Sequence, residues 1–157
     1  MKLTSSPAGG LHIEVEDNSD WHLLLGILRD AQGSGFDLAS HVSGNMDQAA
    51  DWHDWEEFVI PDIRESFLAH LKTVLIAIES ARLEAAGGPA DVCINRDDAF
   101  HWYSALNQAR LALEAIHHFG PSETINQSPL SQASLAAFIR SRFYCAVQSV
   151  LLDNGLG

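Results

Sequence analysis

Apolar residues recur at every third or fourth position along three long segments of the chain. The three stripes comprise Ile63, Phe67, Leu71, Val74, Ile78, Ala81 and Ala85; Ala99, Trp102, Leu106, Ala109, Leu113 and Ile116; and Leu135, Ile139, Phe143, Val147 and Val150. This spacing is the period of an amphipathic helix. Because each stripe has to be removed from water, the pattern predicts three long helices that pack against one another in a bundle.

Proline and glycine mark the ends of these predicted helices. The first begins at Pro61 and is stopped by Gly87-Gly88-Pro89, the second opens at Asn95 or Asp97 and closes at Gly120-Pro121, and the third runs from about Ser128-Pro129 to about Asp153. Proline fits the first turn of a helix, and glycine fits the position just after the last turn.

The N-terminal part predicts two shorter helices and one strand. A helix capped by Asn18 or Ser19 runs to about Gln32, a loop follows through Gly44, and a second helix starts at Asn45. Residues 11–16 alternate apolar with polar side chains, which is the period of a half-buried strand. A lone strand has to pair with another edge, such as that of a second copy of the chain, or lie as an extended arm, and this is a first hint of a homodimer. The predicted fold is therefore all-α in the main, a bundle of about five helices with one short N-terminal strand or extended arm, in a single domain spanning residues 1–157.

The composition narrows the function classes. The net charge is −12 and no cluster of lysine and arginine occurs, so we expect no nucleic-acid binding. The N-terminus does not resemble a secretory signal, and no apolar run is long enough to span a membrane. Cys93 and Cys145 do not make a disulfide framework. We therefore expect a cytoplasmic protein without a membrane partner.

Recognisable catalytic and metal motifs are missing from the sequence. One Glu-x-x-His spacing occurs, at Glu114 and His117, but a di-iron carboxylate bundle needs two. No nucleophile elbow, phosphate-binding loop or paired-cysteine zinc motif is present. The sequence accordingly predicts no catalytic residue, no metal ligand and no cofactor.

An acidic and aromatic cluster lies between Asp51 and Phe58. Trp52 and Trp55 share one predicted helix face, and Asp51, Asp54 and Glu57 lie toward another. The two tryptophans either pack into the core with a solvated acidic back or form an exposed aromatic anchor for a partner. The first interpretation is favoured by the usual burial of tryptophan.

Arg110 lies between two core positions of the second long helix. Its neighbours Leu106 and Leu113 face the core, so the guanidinium has to border or enter it, where an unpaired charge is costly. Glu114, four residues later, could pair with it, and Asn107 lies on the same side. A structural network is favoured over a ligand-binding role.

The segment from Trp102 to Leu113, Trp-Tyr-Ser-Ala-Leu-Asn-Gln-Ala-Arg-Leu-Ala-Leu, resembles the central motif of an uncharacterised bacterial family. That family is the domain of unknown function two-thousand-seventeen, whose motif has a tryptophan, a short gap and then Asn-Asp-x-Arg-Leu-Ala-Leu. Gln108 stands here in place of the aspartate. Phe119-Gly120-Pro121, Ser128-Pro129-Leu130 and Ile60-Pro61-Asp62 are also similar, so that the resemblance covers residues from about 55 to 152.

The resemblance implies no activity, cofactor or catalytic residue. Some members are encoded beside the ClpS-type adaptor of the Clp protease, and some carry a regulator label. It implies an interaction or regulatory protein more than an enzyme, and it directs attention to Asn107 and Arg110.

Three functional hypotheses follow from the sequence. The leading one is a non-enzymatic, cytoplasmic interaction or regulatory module that forms a homodimer, with a protein partner that the sequence does not identify. The second is a small-molecule or metal-dependent enzyme with its site in the bundle core. The third, and least favoured, is a DNA-binding regulator. The candidate structural or interaction residues are Trp52, Trp55, Trp102, Asn107, Arg110 and Glu114.

Overall fold

The computed structural model describes residues 1–7, 9–33, 37–44, 52–120 and 130–154, and it is mainly helical, as predicted. The strands are β1 (Lys2–Ser5), β2 (Gly10–Val15) and β3 (Ala90–Asn95), and the helices are α1 (Asn18–Gln32), α2 (Leu38–Ser43), α3 (Trp52–Asp54), α4 (Ile60–Glu84), α5 (Ala99–His117) and α6 (Gln132–Asn154). A π-helical segment, Trp55–Val59, joins α3 to α4, and a 3₁₀ turn, Arg96–Asp98, precedes α5.

The predicted strand has two partners within the chain. It is β2, the middle strand of an antiparallel sheet in the order β1-β2-β3, with Leu11 opposite both Ser5 and Ile94. The strand thus pairs with other edges, as expected, but the two alternatives of a second copy or an extended arm are wrong for it, because both edges of β2 are occupied within the chain. The side chains of Leu11, Ile13 and Val15 are buried on the face that meets the helices.

A glycine at the start of β2 makes the close approach of β3 possible. Gly10 has a φ of 106°, and a Cβ built on it would lie 2.2 Å from the carbonyl oxygen of Ile94. Only glycine tolerates both that conformation and that distance.

Three helix boundaries differ from the prediction. Asp17 caps α1 through the backbone N–H groups of Ser19 and Asp20, one residue before the predicted cap. The predicted loop up to Gly44 contains α2, which is capped by Asp37. Finally, Pro61 lies in the first turn of α4 as predicted, but α3 and the π-helical segment precede that turn without a break, so the helical stretch starts earlier than expected. The predicted cap at Asn45 lies outside the described residues.

The core lies where α5 packs against α1, α4 and α6 and where the sheet closes one end. Its largest fully buried side chains are Trp21 of α1, Trp102 of α5 and Tyr144 of α6. The indole N–H of Trp21 donates to the carbonyl of Gly88 at 3.0 Å and so fixes the turn after α4 to α1. Helix α5 is thus surrounded on three sides, as the predicted stripe from Ala99 to Leu113 requires, although Ile116 at its end is exposed.

The face that α6 buries coincides only in part with the predicted one, since Val147 is buried and Phe143 and Val150 pack against the core. Ile139, in the middle of the predicted stripe, is 59% exposed, and the buried face follows Ala137, Tyr144 and Leu151. Apolar residues lie all around this helix, so periodicity alone could not choose a side.

Helix α6 is also long and apolar enough to cross a membrane by length and composition, a test that core helices of soluble proteins pass as well. Arg140 and Gln148 in its middle hydrogen-bond to other helices of this chain.

Candidate functional site

Arg110 lies on α5 where that helix meets α6, and its side chain is partly buried. Its Nη1 donates to the side-chain oxygen of Gln148 at 2.6 Å, and the amide nitrogen of Gln148 donates to the backbone carbonyl of Tyr103 at 3.2 Å. Gln148 is buried and uses both ends of its amide, so its orientation is fixed. The guanidinium is held at Nη1 by a partner from another helix.

The predicted pairing of Arg110 with Glu114 is wrong. The carboxylate of Glu114 is exposed and accepts a hydrogen bond from the backbone N–H of Gly120 at 2.9 Å. Phe119, beside that glycine, stacks on His117 with ring centroids 5.3 Å apart and meets Phe138 of α6 edge-on. Glu114 therefore closes the turn after α5, and among the described residues no carboxylate pairs with Arg110.

A cavity of about 400 Å³ opens between α5 and α6 beside Arg110. Its apolar walls come from Leu111, Phe119 and Phe138, and its polar lining from Asn107, Arg110, Glu114, Ser141 and Arg142, with Gly120 and Cys145 completing it. A cavity of this size with a few convergent polar groups is typical of small-molecule sites.

Several polar groups that line this cavity have no hydrogen-bond partner among the described residues. The Nε of Arg110 is buried and unpaired. Within the described part of the chain, the side chains of Asn107, Ser141 and Arg142 likewise form neither a hydrogen bond nor an ion pair. Buried polar groups are normally satisfied, and an unpaired N–H of a charged group costs free energy, so this lining is short of acceptors.

Arg140, on α6, has the opposite arrangement, because its carboxylate partner lies inside the protein. The sequence did not predict this pairing. Arg140 donates from Nε and Nη2 to the two carboxylate oxygens of Asp30 at 2.7 and 3.0 Å, and the hydroxyl of Tyr144 donates to the same carboxylate at 2.7 Å. Asp30 is only 7% exposed. The bond to Asp30 raises the pKa of the Arg140 guanidinium, and burial followed by the nearby Asp30 charge raises the pKa of the Tyr144 hydroxyl.

Gly26 on α1 makes room for this network. A Cβ at this position would lie 3.0 Å from the Tyr144 hydroxyl and 3.4 Å from Arg29. The sequence signal was available, because Asp30 lies between Ile27 and Ala31 on the buried face of α1.

The candidate tryptophans fall into different environments. Trp102 is fully buried in the core, and its indole nitrogen has no partner. Trp55 lies in the π-helical segment, partly buried, with its indole nitrogen also unpaired. The side chain of Trp52 lies outside the described residues. Neither Trp55 nor Trp102 lines the cavity beside Arg110.

Gln108, where the resembling motif has aspartate, points away from Arg110. It is buried, and its side-chain nitrogen lies 3.4 Å from the backbone carbonyl of Phe67 on α4. It lines a second cavity, between α4 and the N-terminal helices, whereas Asn107 lines the first. The change at Gln108 thus leaves the surroundings of Arg110 intact.

Neither residue of the Glu-x-x-His spacing is arranged for a metal. Glu114 serves the turn at Gly120, and the ring of His117 lies 3.2 Å from the hydroxyl of Ser134. Among the residues that the structure describes, no group of three or more histidine, cysteine, aspartate or glutamate side chains could hold a metal ion.

Two histidines meet between α4 and α5, an arrangement that no sequence pattern indicated. The Nδ1 atoms of His70 and His101 lie 2.9 Å apart, and the ring of Phe100 packs edge-on against His70. Burial, and secondly the charge of His101, lowers the pKa of His70. The contact therefore favours a neutral His70.

Comparison with known proteins places the chain in a family without assigning it a function. No curated protein matches it, and no solved structure matches it. The model of one family, described as a domain of unknown function (DUF2017), matches residues 39–153, which is more than half of the chain and includes Asn107 and Arg110. The chain therefore belongs to the DUF2017 family, as its central motif predicted.

Proposed function

We propose that this chain is a non-enzymatic, cytoplasmic protein-interaction module that works as a homodimer, assembled through the outer face of α4. The observation that carries the proposal is a row of four exposed apolar side chains on this helix. Leu68, Leu75, Ile76 and Leu83 are between 41% and 76% exposed. We call this row the α4 seam.

The seam is a second apolar stripe, separate from the one that α4 turns to the core. Its members follow each other at intervals of seven, one and seven residues, so they share one side of the helix. At about 100° per residue, that side lies roughly 120° around the helix from the buried Leu71, Val74 and Ile78. One helix thus has one apolar face in the core and another facing solvent, a pattern favouring a partner on the second face.

The seam is complementary to itself when two copies run antiparallel. A two-fold axis between Leu75 and Ile76 pairs these two residues across the interface and places Leu68 against Leu83 of the second copy. The same axis brings Lys72 opposite Glu79 of the second copy, and Lys72 forms no ion pair within the described chain. A closed dimer with two-fold symmetry needs this kind of self-matching surface.

A parallel pairing of the same seam is disfavoured by charge. It would set Lys72 against Lys72 and Glu79 against Glu79, and like charges across a helix pair are repulsive. The charge pattern therefore selects the antiparallel arrangement and a second copy of this chain as the occupant.

Sedimentation velocity on charge variants tests both the dimer and its direction. We expect Lys72→Glu alone and Glu79→Lys alone to weaken self-association by about tenfold, because each variant places like charges at two symmetric positions. An equimolar mixture of the two variants should form heterodimers with wild-type affinity, since every pair is then attractive. Leu75→Arg should give a monomer, with its fold checked by circular dichroism because Leu75 is a surface residue.

The wild-type protein itself provides the decisive control. A monomer mass at every concentration would overturn the dimer. A dimer that survives Leu75→Arg unchanged would place the interface elsewhere, and a mixture no tighter than the separate charge variants would reject the antiparallel seam.

A further inference from the structure

The cavity beside Arg110 is surrounded by donors that lack acceptors. Four of the nine lysine and arginine side chains form ion pairs with carboxylates in the described chain. Two of those that do not, Arg110 and Arg142, line this one cavity, and the one carboxylate among its described lining residues, Glu114, accepts a hydrogen bond from the N–H of Gly120. In a chain with a net charge of −12, this cavity is locally positive.

One nitrogen of the Arg110 guanidinium is accessible and has no partner among the described residues. Its Nη1 is occupied by Gln148 and its unpaired Nε is buried, which leaves Nη2 as the donor that a carboxylate can reach. Arg140 of the same protein binds the carboxylate of Asp30 through its Nη2 and Nε. The chain therefore contains one guanidinium whose carboxylate is present and one from which it is missing.

The rest of the lining indicates what else the ligand carries. Asn107 and Ser141 add an unpartnered amide and an unpartnered hydroxyl, whereas Leu111, Phe119 and Phe138 form apolar and aromatic walls. Phe119 is held in place by stacking on His117 and by edge contact with Phe138. A carboxylate attached to a compact apolar or aromatic body matches both halves of this lining.

We propose that the cavity between α5 and α6 binds a small organic acid, whose carboxylate is received by Nη2 of Arg110 and whose apolar body lies between Leu111, Phe119 and Phe138. Gln148 is the positioning residue. Its side-chain oxygen accepts from Nη1 of Arg110, and its amide nitrogen donates to the carbonyl of Tyr103 and so fixes the orientation of the side chain. Arg142 at the exposed side adds long-range attraction for the anion. The site is independent of the α4 seam.

Binding of 3-phenylpropionate, followed by NMR with observation of the arginine Nε–H signals, tests this proposal. We expect a dissociation constant of about 1 mM for so small a ligand, with a shift of the Arg110 Nε–H resonance on binding. The neutral 3-phenylpropanol should bind at least about tenfold more weakly. The phosphate analogue, phenyl phosphate, should bind no better than the carboxylate.

Two variants address Arg110 by different routes. Arg110→Lys keeps the charge but removes the guanidinium nitrogen that donates to the carboxylate, so the affinity should fall at least about tenfold. Asn107→Asp keeps Arg110 and introduces a carboxylate into the lining. It should abolish binding and move the Arg110 Nε–H resonance of the unliganded protein toward its ligand-bound position. The second variant keeps the test valid if the first does not fold.

Matched controls separate the site from general charge effects. Arg142→Gln should lower the affinity by about threefold, in a salt-dependent way. Arg96→Gln removes an exposed arginine outside the cavity and should change nothing.

Three results would overturn the proposal. They are equal binding of the acid and the alcohol, unchanged binding in both Arg110→Lys and Asn107→Asp, and no binding at ten times the expected dissociation constant. Tighter binding of phenyl phosphate would show that the site prefers a phosphate and would reject a carboxylate as its ligand.

Discussion

Arg140 and Arg110 occupy neighbouring helices and border the same core, yet their hydrogen bonds are completed in opposite ways. Arg140 meets a buried carboxylate with two parallel bonds, and a tyrosine hydroxyl completes the group. Arg110 has one amide oxygen as its partner, an unpaired Nε and an open cavity beside it. A guanidinium that contributes to stability needs its acceptors inside the protein, whereas one kept for a ligand leaves its receiving edge unpaired.

Replacing each arginine by methionine should give the largest difference. Arg140→Met leaves the Asp30 carboxylate buried without its charged partner, and we expect a loss of about 3 kcal/mol in the free energy of unfolding. Arg110→Met removes an N–H that had no partner but also leaves the buried side-chain oxygen of Gln148 without its donor, so we expect a smaller loss of about 1.5 kcal/mol. Urea denaturation of both variants measures the two values.

The exposed pair of Lys2 and Glu14 provides a scale for this comparison. Glu14→Gln should change the free energy of unfolding by less than about 1 kcal/mol, because both side chains are solvated. Equal losses for Arg140→Met and Arg110→Met would show that Arg110 is as structural as Arg140.

An intermediate effect is expected at the tyrosine that completes the Asp30 group. Tyr144→Phe removes a buried hydroxyl that donates to a carboxylate, which should cost about 2 kcal/mol. Tyr103→Phe is the matched control, since its hydroxyl has no hydrogen-bond partner among the described residues, and it should cost less than about 0.5 kcal/mol. Indistinguishable losses would mean that the hydrogen bond from the Tyr144 hydroxyl to Asp30 contributes little to the free energy of unfolding.

The smallest expected effect concerns the contact of His70 with His101, which lies away from both arginines. Because folding lowers the pKa of His70 below its ordinary value of 6.5, the unfolded chain binds more protons as the pH falls through and below that value. Stability from this source is thus present above pH 6.5 and is lost on acidification.

Denaturation curves at several pH values between neutral and mildly acidic test this dependence. His70→Gln should reduce the dependence of the free energy of unfolding on pH relative to wild type. The control is His22→Gln, at an exposed histidine, which should keep the wild-type dependence. Arg110→Met should retain the wild-type slope, because its site lacks these histidines. A slope that His70→Gln leaves unchanged would assign the pH dependence to other groups.

The sequence predicted the parts of the fold that depend on local periodicity. The stripe on α5 and the buried Leu71, Val74 and Ile78 of α4 lie where helical spacing puts them. The strand β3 alternates in the same way as β2, with Val92 and Ile94 buried, but it was not predicted, because it lies in the short connection between two long helices. For α6, the even distribution of apolar residues left its orientation to be decided by tertiary packing.

The candidate site shows the same limit. Arg110 was recognisable because a charged residue stood between core positions, but its partner Gln148 lies 38 residues away on another helix. Asp30 and Arg140 are separated by 110 residues, so no helical spacing connects them. Glu114 was chosen as a partner because it is the right distance along the helix, and the turn at Gly120 competes for it.

The dependence of the core on the first part of the chain has a consequence for the family segment. Residues 39–153 carry Arg140 and Tyr144, yet the carboxylate that accepts their hydrogen bonds, Asp30, belongs to α1, outside that segment. The same is true of β2, which covers one edge of β3, of β1, and of Trp21. A fragment limited to residues 39–153 would thus leave the Arg140 charge beside the apolar core without its counter-ion. It would also leave one edge of β3 unpaired and open to aggregation.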